Sequence, residues 1–385
     1  MKQISSLDLY FLTLEFKEIL ENSRIDSFYA ENGYFWIKFY VKSKGAMFLE
    51  NNISKSIFIT NSKTNSSGLP NSFIGHLRKY LKNGILQKID VIENERILKL
   101  EISKKSQDSD EITIYYLLIE LFANGNIILT DSELRITNSL IKKNYKDRKV
   151  KVKEIYEFPP KIEFNILNLN KSDFEISIKK TDLSIVKFIA IKFGIGGKYA
   201  EEIVYLAGFD KNKNIAKLNK NEINKLEQII INFVKQKIEP KMILNDKDEF
   251  INFIPFKFKS LNLEILKMKS YENYNACVKD YFEQFVEEVD QREKNFQNEL
   301  ARFEKRLKLQ IKQKNKILKD YEIANNNGTL IYENYTMIDE LLNLINNTAK
   351  EKGWDYVLDK IKSSDKLSKI IKKLNYKNNE IILDL

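Results

Sequence analysis

The stretch ERILKLEISKKSQDSDEITIYYLLIELFANGNIILTD (95–131) decides the fold, because it consists of β-forming runs separated by short polar breaks. RILKLEI, ITIYYLLIEL and NIILTD are rich in β-branched and aromatic residues, which predicts three strands with a turn at Asp131-Ser132. Upstream, YFWIKFYV (34–41) and ILQKIDVI (85–92) have the same character. The centre of this region is therefore predicted to be a multistranded sheet.

Two helices are predicted beside the strands. Leu9, Leu12, Phe16 and Leu20 recur at helical spacing, with Ser6 or Asp8 as the capping residue. SFIGHLRKYLKNG (72–84) predicts a second helix that Gly84 stops. Strands and helices together predict an α+β fold, with a mixed α/β first domain over residues 1–170.

Residues 171–245 change character and predict a helical second domain. FGIGGKYAEEIVYLAGFD (193–210) and INKLEQIIINFVKQKI (223–238) carry helical patterns. The run Gly194-Ile195-Gly196-Gly197 between two helices resembles a helix-hairpin-helix turn, whose free N–H groups can hold a backbone phosphate. Lys192 and Lys198 flank it. A plain tight connection between helices is the alternative.

Residues 246–385 predict a long coiled-coil helix with a smaller middle domain. Two short strands, FINFIPFKF (250–258) and LNLEILKM (261–268), precede a helix that starts near Tyr274. Apolar residues from Val278 to Tyr321 follow a heptad spacing, and the helix is predicted to end at NNNG (325–328). NEIILDL (379–385) predicts a final strand. Because the exposed heptad seam needs a cover, we expect a homodimer or a separate C-terminal partner along residues 278–321.

The charge balance favours a polyanionic partner. Lysine and arginine number 64 against 54 acids, a net charge of +10. The run KKNYKDRKVKVK (142–153) places Tyr145 among cations, so that Lys142, Lys143, Arg148 and Lys149 can meet phosphates while the ring stacks on a base. A solvated hairpin is the alternative. The long helix is basic after Glu304, which fits contact with rRNA or a solvated face equally well.

Several functional classes are disfavoured. No apolar run reaches the roughly 18 residues of a membrane span, and Asp8 and Glu15 interrupt any signal peptide, so a cytoplasmic protein is expected. Cys277 and His76 are each the sole residue of their type, which argues against disulfides, zinc and a Ser-His-Asp triad. No phosphate-binding P-loop or dinucleotide fingerprint is present. We expect no metal, no cofactor and no catalytic residue.

The ordered segments resemble the NFACT family, also called fibronectin-binding-protein-A-like proteins. SSLDLYFLTLEFKEIL (5–20) resembles the family's opening, PNSFIGHLRKYLKNG (70–84) its LRK helix, and ERILKLEI (95–102) its Asp-Arg strand. LLIELFANGNIILTD (117–131), the glycine hairpin with AEEIVYLAG (200–208), and NNNGTLIYENYTMIDELLNLIN (325–346) match further segments. The resemblance covers almost the whole chain, and the order of the segments makes it specific.

The resemblance implies a role in ribosome-associated quality control. Members bind a large ribosomal subunit that retains a nascent chain on tRNA, and they recruit charged tRNA, usually alanyl-tRNA, for tailing without mRNA. The ribosome makes the peptide bonds, so the factor itself is not an enzyme. The expected partners are the large subunit, tRNA and the nascent-chain complex, with no membrane. The family's first domain is thought to share its fold with formamidopyrimidine-type glycosylases.

The resemblance assigns tRNA-handling and RNA-binding positions. Asp8 matches the acidic residue of the opening helix, and Glu95-Arg96 match the family's Asp-Arg pair, with Glu in place of Asp. The remaining candidates are Arg78 and Lys79 of the LRK helix, Glu120, Leu121 and Phe122 of the neighbouring strand, and Gly194, Gly196, Gly197 and Lys198 of the hairpin. The family's second coiled-coil helix and C-terminal RNA-binding domain do not follow within this sequence.

Two other functions compete. A glycosylase would use an N-terminal proline amine and an adjacent Glu, whereas this chain starts Met1-Lys2-Gln3. A glycosylase-like protein without these two groups would bind nucleic acid but would not catalyse the reaction. A fibronectin-binding adhesin would need secretion, and no secretion signal or surface anchor is recognisable in the sequence.

Overall fold

A computed structural model describes residues 3–31, 33–63, 72–92, 95–106, 110–144, 148–159, 162–261 and 266–385, without the side chains of residues 144 and 285–298. Tyr145 and the seam residues Phe285, Val289 and Phe296 therefore lie outside what is described. The chain divides into two compact units, Met1–Val289 and Asp290–Leu385. Each is considered by itself.

A large antiparallel sheet forms the centre of the first unit. Within the described residues, nine strands follow the order β4-β3-β2-β1-β5-β6-β7-β8-β9. The strands are β1 (Arg24–Glu31), β2 (Tyr34–Val41), β3 (Gly45–Asn52), β4 (Ser56–Thr60), β5 (Ile85–Val91), β6 (Ile97–Lys105), β7 (Ile112–Glu120), β8 (Asn126–Asp131) and β9 (Ile136–Ser139). The predicted mixed α/β architecture is confirmed. A two-stranded ribbon, β10 (Lys143–Asn144) and β11 (Lys149–Val150), follows.

Helix α1 (Ser6–Leu20) packs against the sheet through a nearly continuous apolar face. The predicted caps Ser6 and Asp8 are wrong in detail, because extended Ser5 is the N-cap. The Ser5 hydroxyl accepts from the Asp8 N–H while the Asp8 carboxylate accepts from Ser5, a reciprocal capping box. Helix α2 (Ser72–Leu81) buries Phe73, Leu77 and Leu81.

The helices after residue 170 share the core of the sheet. They are α3 (Lys171–Lys179), α4 (Ile185–Lys192), α5 (Gly197–Ala207), a 3₁₀ turn (Ile215–Lys217) and α6 (Lys220–Phe233). A three-stranded sheet of order β13-β12-β14 follows, formed by β12 (Lys241–Leu244), β13 (Phe250–Ile254) and β14 (Lys267–Ser270). One apolar cluster runs from Ile4 to Phe282. The domain boundaries predicted after residues 170 and 245 stay predictions.

Helix α7 (Tyr274–Glu333) starts in this core, and its first turn is capped by another helix. The Glu15 carboxylate accepts from the N–H groups of Tyr274 (2.6 Å) and Asn275 (2.8 Å). The Asn275 amide pairs in turn with both the N–H (2.6 Å) and the C=O (2.9 Å) of Ile59 on the edge strand β4. These bonds satisfy a helix end and a strand edge that would otherwise lack partners.

Glu15→Ala should therefore lower the free energy of unfolding of the first unit by about 1–2 kcal/mol, the usual value of a lost helix cap. Glu18→Ala is the matched control, since Glu18 is exposed on the same helix. Urea unfolding followed by circular dichroism measures both. Equal stability of the two variants would show that the cap contributes nothing.

The second unit contains the far part of α7 and a small helical domain. Its other elements are α8 (Tyr335–Lys352), α9 (Trp354–Ser363), α10 (Asp365–Ile370), β15 (Ile371–Asn375) and β16 (Glu380–Leu383). Ile345, Val357, Ile361 and Ile371 form its core. The predicted helix end at 325–328 is wrong, because α7 continues to Glu333. Gly328 does not have a positive φ, so it does not adopt the left-handed conformation that ends helices.

The described seam residues after residue 298 are open to solvent. Leu300, Phe303 and Leu307 are exposed on α7, whereas Val278 and Phe282 at its start are buried. Pairing along 278–321, and the coiled coil itself, stay predictions. Among the described residues, no helix is both long and apolar enough to cross a membrane.

Candidate functional site

The glycine turn between α4 and α5 leaves the start of α5 open. Gly194 (φ +63°) and Gly196 (φ +80°) adopt backbone conformations that side chains disfavour. Gly196 caps α5 without any side-chain hydrogen bond, and a Cβ on Gly197 would meet nothing within 4 Å. The first N–H groups of α5 are therefore approachable, as phosphate contact requires. The helix-hairpin-helix motif itself stays a prediction.

A cavity of about 490 Å³ opens beside this turn. The N-terminal segment contributes Gln3, Ser5 and Asp8 to its wall, and the turn contributes Gly196, Gly197 and Lys198. Asn252 and Ser260 add polar groups from the other side. The wall is thus mixed in polarity, with most of its hydrogen-bonding groups from two segments distant in sequence.

Asp8 is the centre of a buried polar cluster at the floor of this cavity. Its Oδ1 accepts from Lys198 Nζ (2.8 Å), Tyr199 OH (2.5 Å) and Tyr274 OH (2.5 Å). Its Oδ2 accepts from the Ser5 N–H and hydroxyl, both at 2.8 Å. One carboxylate therefore joins α1, the glycine turn and the start of α7.

The charge of Asp8 is retained despite burial. Burial alone would raise the pKa of Asp8, but the attraction of Lys198 and the hydrogen bonds from Lys198, Tyr199 and Tyr274 outweigh it and hold the pKa below its ordinary value. Burial and the adjacent carboxylate raise the pKa of both tyrosines well above the usual range, so they remain donors.

The structure places Asp8 and Lys198 among internal partners, and their assignment as RNA-binding residues stays a prediction. Asp8 is only 1% exposed, and its carboxylate accepts from internal donors. Lys198 Nζ also donates to the Phe253 carbonyl (3.0 Å), so its charge is already engaged inside the protein. The open backbone N–H groups of the turn are better placed to meet a phosphate than is this lysine.

A second buried cluster surrounds Glu120 at the end of β7. Arg148 donates to both carboxylate oxygens of Glu120 (2.6 and 3.0 Å), and the Tyr156 hydroxyl donates to one of them (2.8 Å). Phe122 lies against the Arg148 guanidinium, 5.4 Å from ring centre to Cζ. Burial lowers the pKa of Arg148, but the bond and attraction of Glu120 reverse that shift.

Arg148 is buried, unlike the described lysines of the basic run 142–153. Its residue surface is 9% exposed, because the bidentate pair with Glu120 draws it inward. Lys143 and Lys149 on the ribbon, and Lys142 directly before it, are exposed, and their contact with RNA stays a prediction. Leu121 is fully buried and packs in the main apolar core.

Glu95 and Arg96 lie in a bend and not on a strand, because β6 begins at Ile97. Leu121 N–H donates to the Arg96 carbonyl (2.7 Å), which fastens the bend to the second cluster. The side chains of both residues are half-buried. Burial raises the pKa of Glu95, and the charges of Arg96 and Arg148 partly oppose this.

Arg96 also reaches the N-terminal segment. Its Nη1 donates to Gln3 Oε1 (2.8 Å) and to the Ile4 carbonyl (3.5 Å). The two clusters are thus connected through residues 3–8. Sequence reasoning missed Gln3, Tyr156, Tyr199 and Tyr274, because their partners are distant in the chain and no local pattern marks them.

Arg78 and Lys79 do not belong to this connection. Arg78 donates from Nη2 (2.7 Å) and Nε (3.2 Å) to the Phe28 carbonyl, so it fastens α2 to β1. Lys79 is exposed. Among the described residues, neither bonds to either cluster, and no group of His, Cys, Asp and Glu is arranged to hold a metal ion.

Among the described residues, a nine-stranded sheet packs against α1. Carboxylates of α1 bond to the start of α5 after the glycine turn and to the start of α7. Residues 5–378 match the model of the NFACT N-terminal and middle domains, so the chain belongs to the NFACT family. The predicted family is confirmed.

Two relatives illustrate the breadth of the family. The chain is 30% identical over 401 residues to the archaeal Rqc2 homolog aRqcH of Methanocaldococcus jannaschii, covering 100% of this chain and 58% of that protein. It is 28% identical over 183 residues to the ribosome quality control complex subunit 2 of Saccharomyces cerevisiae, covering 47% of this chain and 16% of that protein. The chain thus spans little more than half of the archaeal relative.

A solved structure supports the fold. The N-terminal part of the fibronectin/fibrinogen-binding protein from Streptococcus suis aligns with a TM-score of 0.57 at 20% identity, over 73% of this chain and 99% of that one. At this identity the likeness concerns the fold alone. The glycosylase-like character of the first domain stays a prediction.

Proposed function

We propose that this chain is the RNA-gripping part of a ribosome-associated quality-control factor. It binds the obstructed large ribosomal subunit and recruits charged tRNA, alanyl-tRNA in the first instance, for mRNA-independent tailing of stalled nascent chains. The observation that carries the proposal is the family match across residues 5–378, together with relatives named as ribosome quality control subunits. The net charge of +10 is consistent with an RNA partner.

In this proposal the protein is not an enzyme and works in the cytoplasm. The ribosome forms the peptide bonds, and the chain supplies binding and orientation. The carboxylates of Asp8 and Glu120 are buried, and each accepts hydrogen bonds from several internal donors, as groups with a structural role do. This arrangement suits a rigid binding surface.

The open turn at Gly196-Gly197 and the surface beside the bend at Glu95-Arg96 are the proposed contact regions. The turn offers backbone N–H groups to one phosphate, and the bend lies at the other end of the N-terminal segment. Exposed lysines of the ribbon, such as Lys142 and Lys149, add long-range attraction. Asp8, Glu120 and Arg148 hold these parts in place from inside.

The chain should co-sediment with free large subunits that carry tRNA, and the binding should weaken steeply with salt. A protein that neutralises several phosphates loses affinity linearly on a log–log salt plot, with a slope of about −0.7 to −0.9 per phosphate. Sucrose-gradient sedimentation of the tagged chain at 50–300 mM potassium chloride measures this. No enrichment on large subunits over whole ribosomes at the lowest salt would contradict the proposal.

Gly197→Val should reduce tRNA binding about tenfold, the order of a lost hydrogen bond to a charged group, without loss of helix. Gly197 does not need a positive φ and its Cβ direction is open, so the new side chain is tolerated but covers the N–H groups. Gly196→Val would be a poorer test, because φ +80° strains any side chain.

Gly75→Val is the matched control. Gly75 lies within α2, where a Cβ also meets nothing within 4 Å, so the same substitution is sterically tolerated away from the turn. Filter binding measures affinity, and circular dichroism measures helix content. Equal tRNA affinity of the two variants would remove the turn from the binding surface.

A further inference from the structure

The N-terminal segment Gln3–Asp8 is bonded along nearly its whole length. Ile4 N–H donates to the Lys55 carbonyl (3.0 Å), and Ser6 Oγ donates to the Gly194 carbonyl of the glycine turn (2.8 Å). Arg96 holds its first residues and Asp8 holds its end, as described above. The segment is therefore held to both clusters, and the position of one cluster constrains the position of the other.

Gln3 is the exposed member of this segment. Its Oε1 must face Arg96, because the guanidinium only donates, and this fixes the orientation of the amide. Among the described residues, its Nε2, which carries two N–H donors, has no hydrogen-bond partner. Gln3 also lines the 490 Å³ cavity beside the open turn. Arg96 therefore fixes the Gln3 amide so that its oxygen is engaged and its two donors remain available on a residue that lines this cavity.

We infer that Gln3 is a direct RNA-contacting residue, that Arg96 acts by positioning it, and that Gln3–Asp8 joins the bend and the glycine turn into one RNA-binding surface. The inference rests on the proposed RNA-binding function. Its ligand is an acceptor oxygen of RNA, either a phosphate or the edge of an unpaired base, which an amide donor recognises.

The bonds and the burial of Arg96 favour a role in positioning Gln3 over direct contact with RNA. The Arg96 side chain is half-buried and its Nη1 is committed to Gln3 Oε1 and the Ile4 carbonyl. Burial lowers the pKa of Arg96 despite the opposing charge of Glu95, as expected for a guanidinium partly withdrawn from water. Gln3, by contrast, is exposed and still has its donors available.

Gln3→Glu distinguishes the contact of Gln3 with RNA from its bond to Arg96. A carboxylate still accepts from Arg96, with a stronger charge-assisted bond, so thermal stability should be unchanged or higher. The same carboxylate replaces two donors by an anionic oxygen, so tRNA affinity should fall about ten- to a hundredfold. Gln87→Glu is the control, because Gln87 is exposed on β5 and the change in net charge is the same.

Salt dependence tests the role of Arg96. If Arg96 acts through Gln3, Arg96→Ala lowers tRNA affinity while the log–log salt slope stays unchanged, and the double variant Gln3→Ala/Arg96→Ala binds no more weakly than Arg96→Ala alone. If Arg96 neutralises a phosphate itself, the slope falls by about one. The second result would overturn the positioning role.

The experiment is filter binding of deacylated tRNA to the full chain with a C-terminal tag, which keeps residues 3–8 unobstructed. We expect the unaltered chain and Gln87→Glu to bind alike, and Gln3→Glu to bind at least tenfold more weakly with an unchanged melting temperature. Equal affinity of Gln3→Glu and Gln87→Glu overturns this inference and leaves the proposed function intact. Failure of the unaltered chain to bind at low salt overturns both.

Discussion

Asp8→Ala is expected to destabilise the first unit by about 3–5 kcal/mol, the cost of breaking a buried ion pair by removing one partner. The substitution leaves Lys198 without its counter-charge and the hydroxyls of Tyr199 and Tyr274 without their acceptor. It also opens the capping box of α1, because Ser5 loses its partner. Asp8→Asn retains the shape and some acceptors and should cost less.

Asp173→Ala is the control, since Asp173 is an exposed aspartate in the first turn of α3. Urea unfolding in a Trp354→Phe background makes buried Trp36 the sole tryptophan reporter for the first unit. Both aspartate variants and their parent are measured in that background. A destabilisation within about 1 kcal/mol of the control would show that the Asp8 cluster is not a stabilising centre.

The stabilisation by Asp8 should depend on pH in a defined direction. Because its pKa is lower in the folded chain than in the unfolded chain, the contribution is fully present above the unfolded value of about 3.9. It is lost as the pH falls through the lower folded value. The difference in unfolding free energy between the parent and Asp8→Asn should therefore shrink below about pH 4.

Local patterns in the sequence carried the prediction of the sheet and most helices. The enrichment of YFWIKFYV and ITIYYLLIEL in β-branched and aromatic residues is visible within single strands, and α1 shows its apolar spacing directly. The long helix was predicted correctly at its start. The predicted end at 325–328 is wrong because a single glycine carries no local signal of whether it will become left-handed, and Gly328 lies inside the helix.

The site could be predicted only in part, because its bonds are long-range. Asp8 is separated from Lys198 and Tyr274 by 190 and 266 positions, so no periodicity relates them. One usable signal existed, since Asp8 shares a face of α1 with buried Leu12 and with Glu15. Carboxylates in an apolar stripe indicate buried partners, and those partners are residues on α5 and α7.

Glu120→Ala is expected to have a comparably large effect, a loss of about 3–5 kcal/mol. Glu120 is 1% exposed, and its removal leaves the Arg148 guanidinium without its bidentate partner and the Tyr156 hydroxyl without an acceptor. Glu133→Ala is the control. Glu133 is exposed, and its ion pair with Arg135, at 3.8 Å, is a solvent-exposed one that contributes little.

A double variant separates the loss of the pair from the cost of an uncompensated charge. Glu120→Ala/Arg148→Met removes both charges and fills the space beside Phe122, so it should recover part of the stability lost in Glu120→Ala. The recovery is measured by urea unfolding with Trp36 as reporter. If the double variant is less stable than Glu120→Ala, then Arg148 stabilises the fold through contacts other than Glu120, such as those with Tyr156 and Phe122.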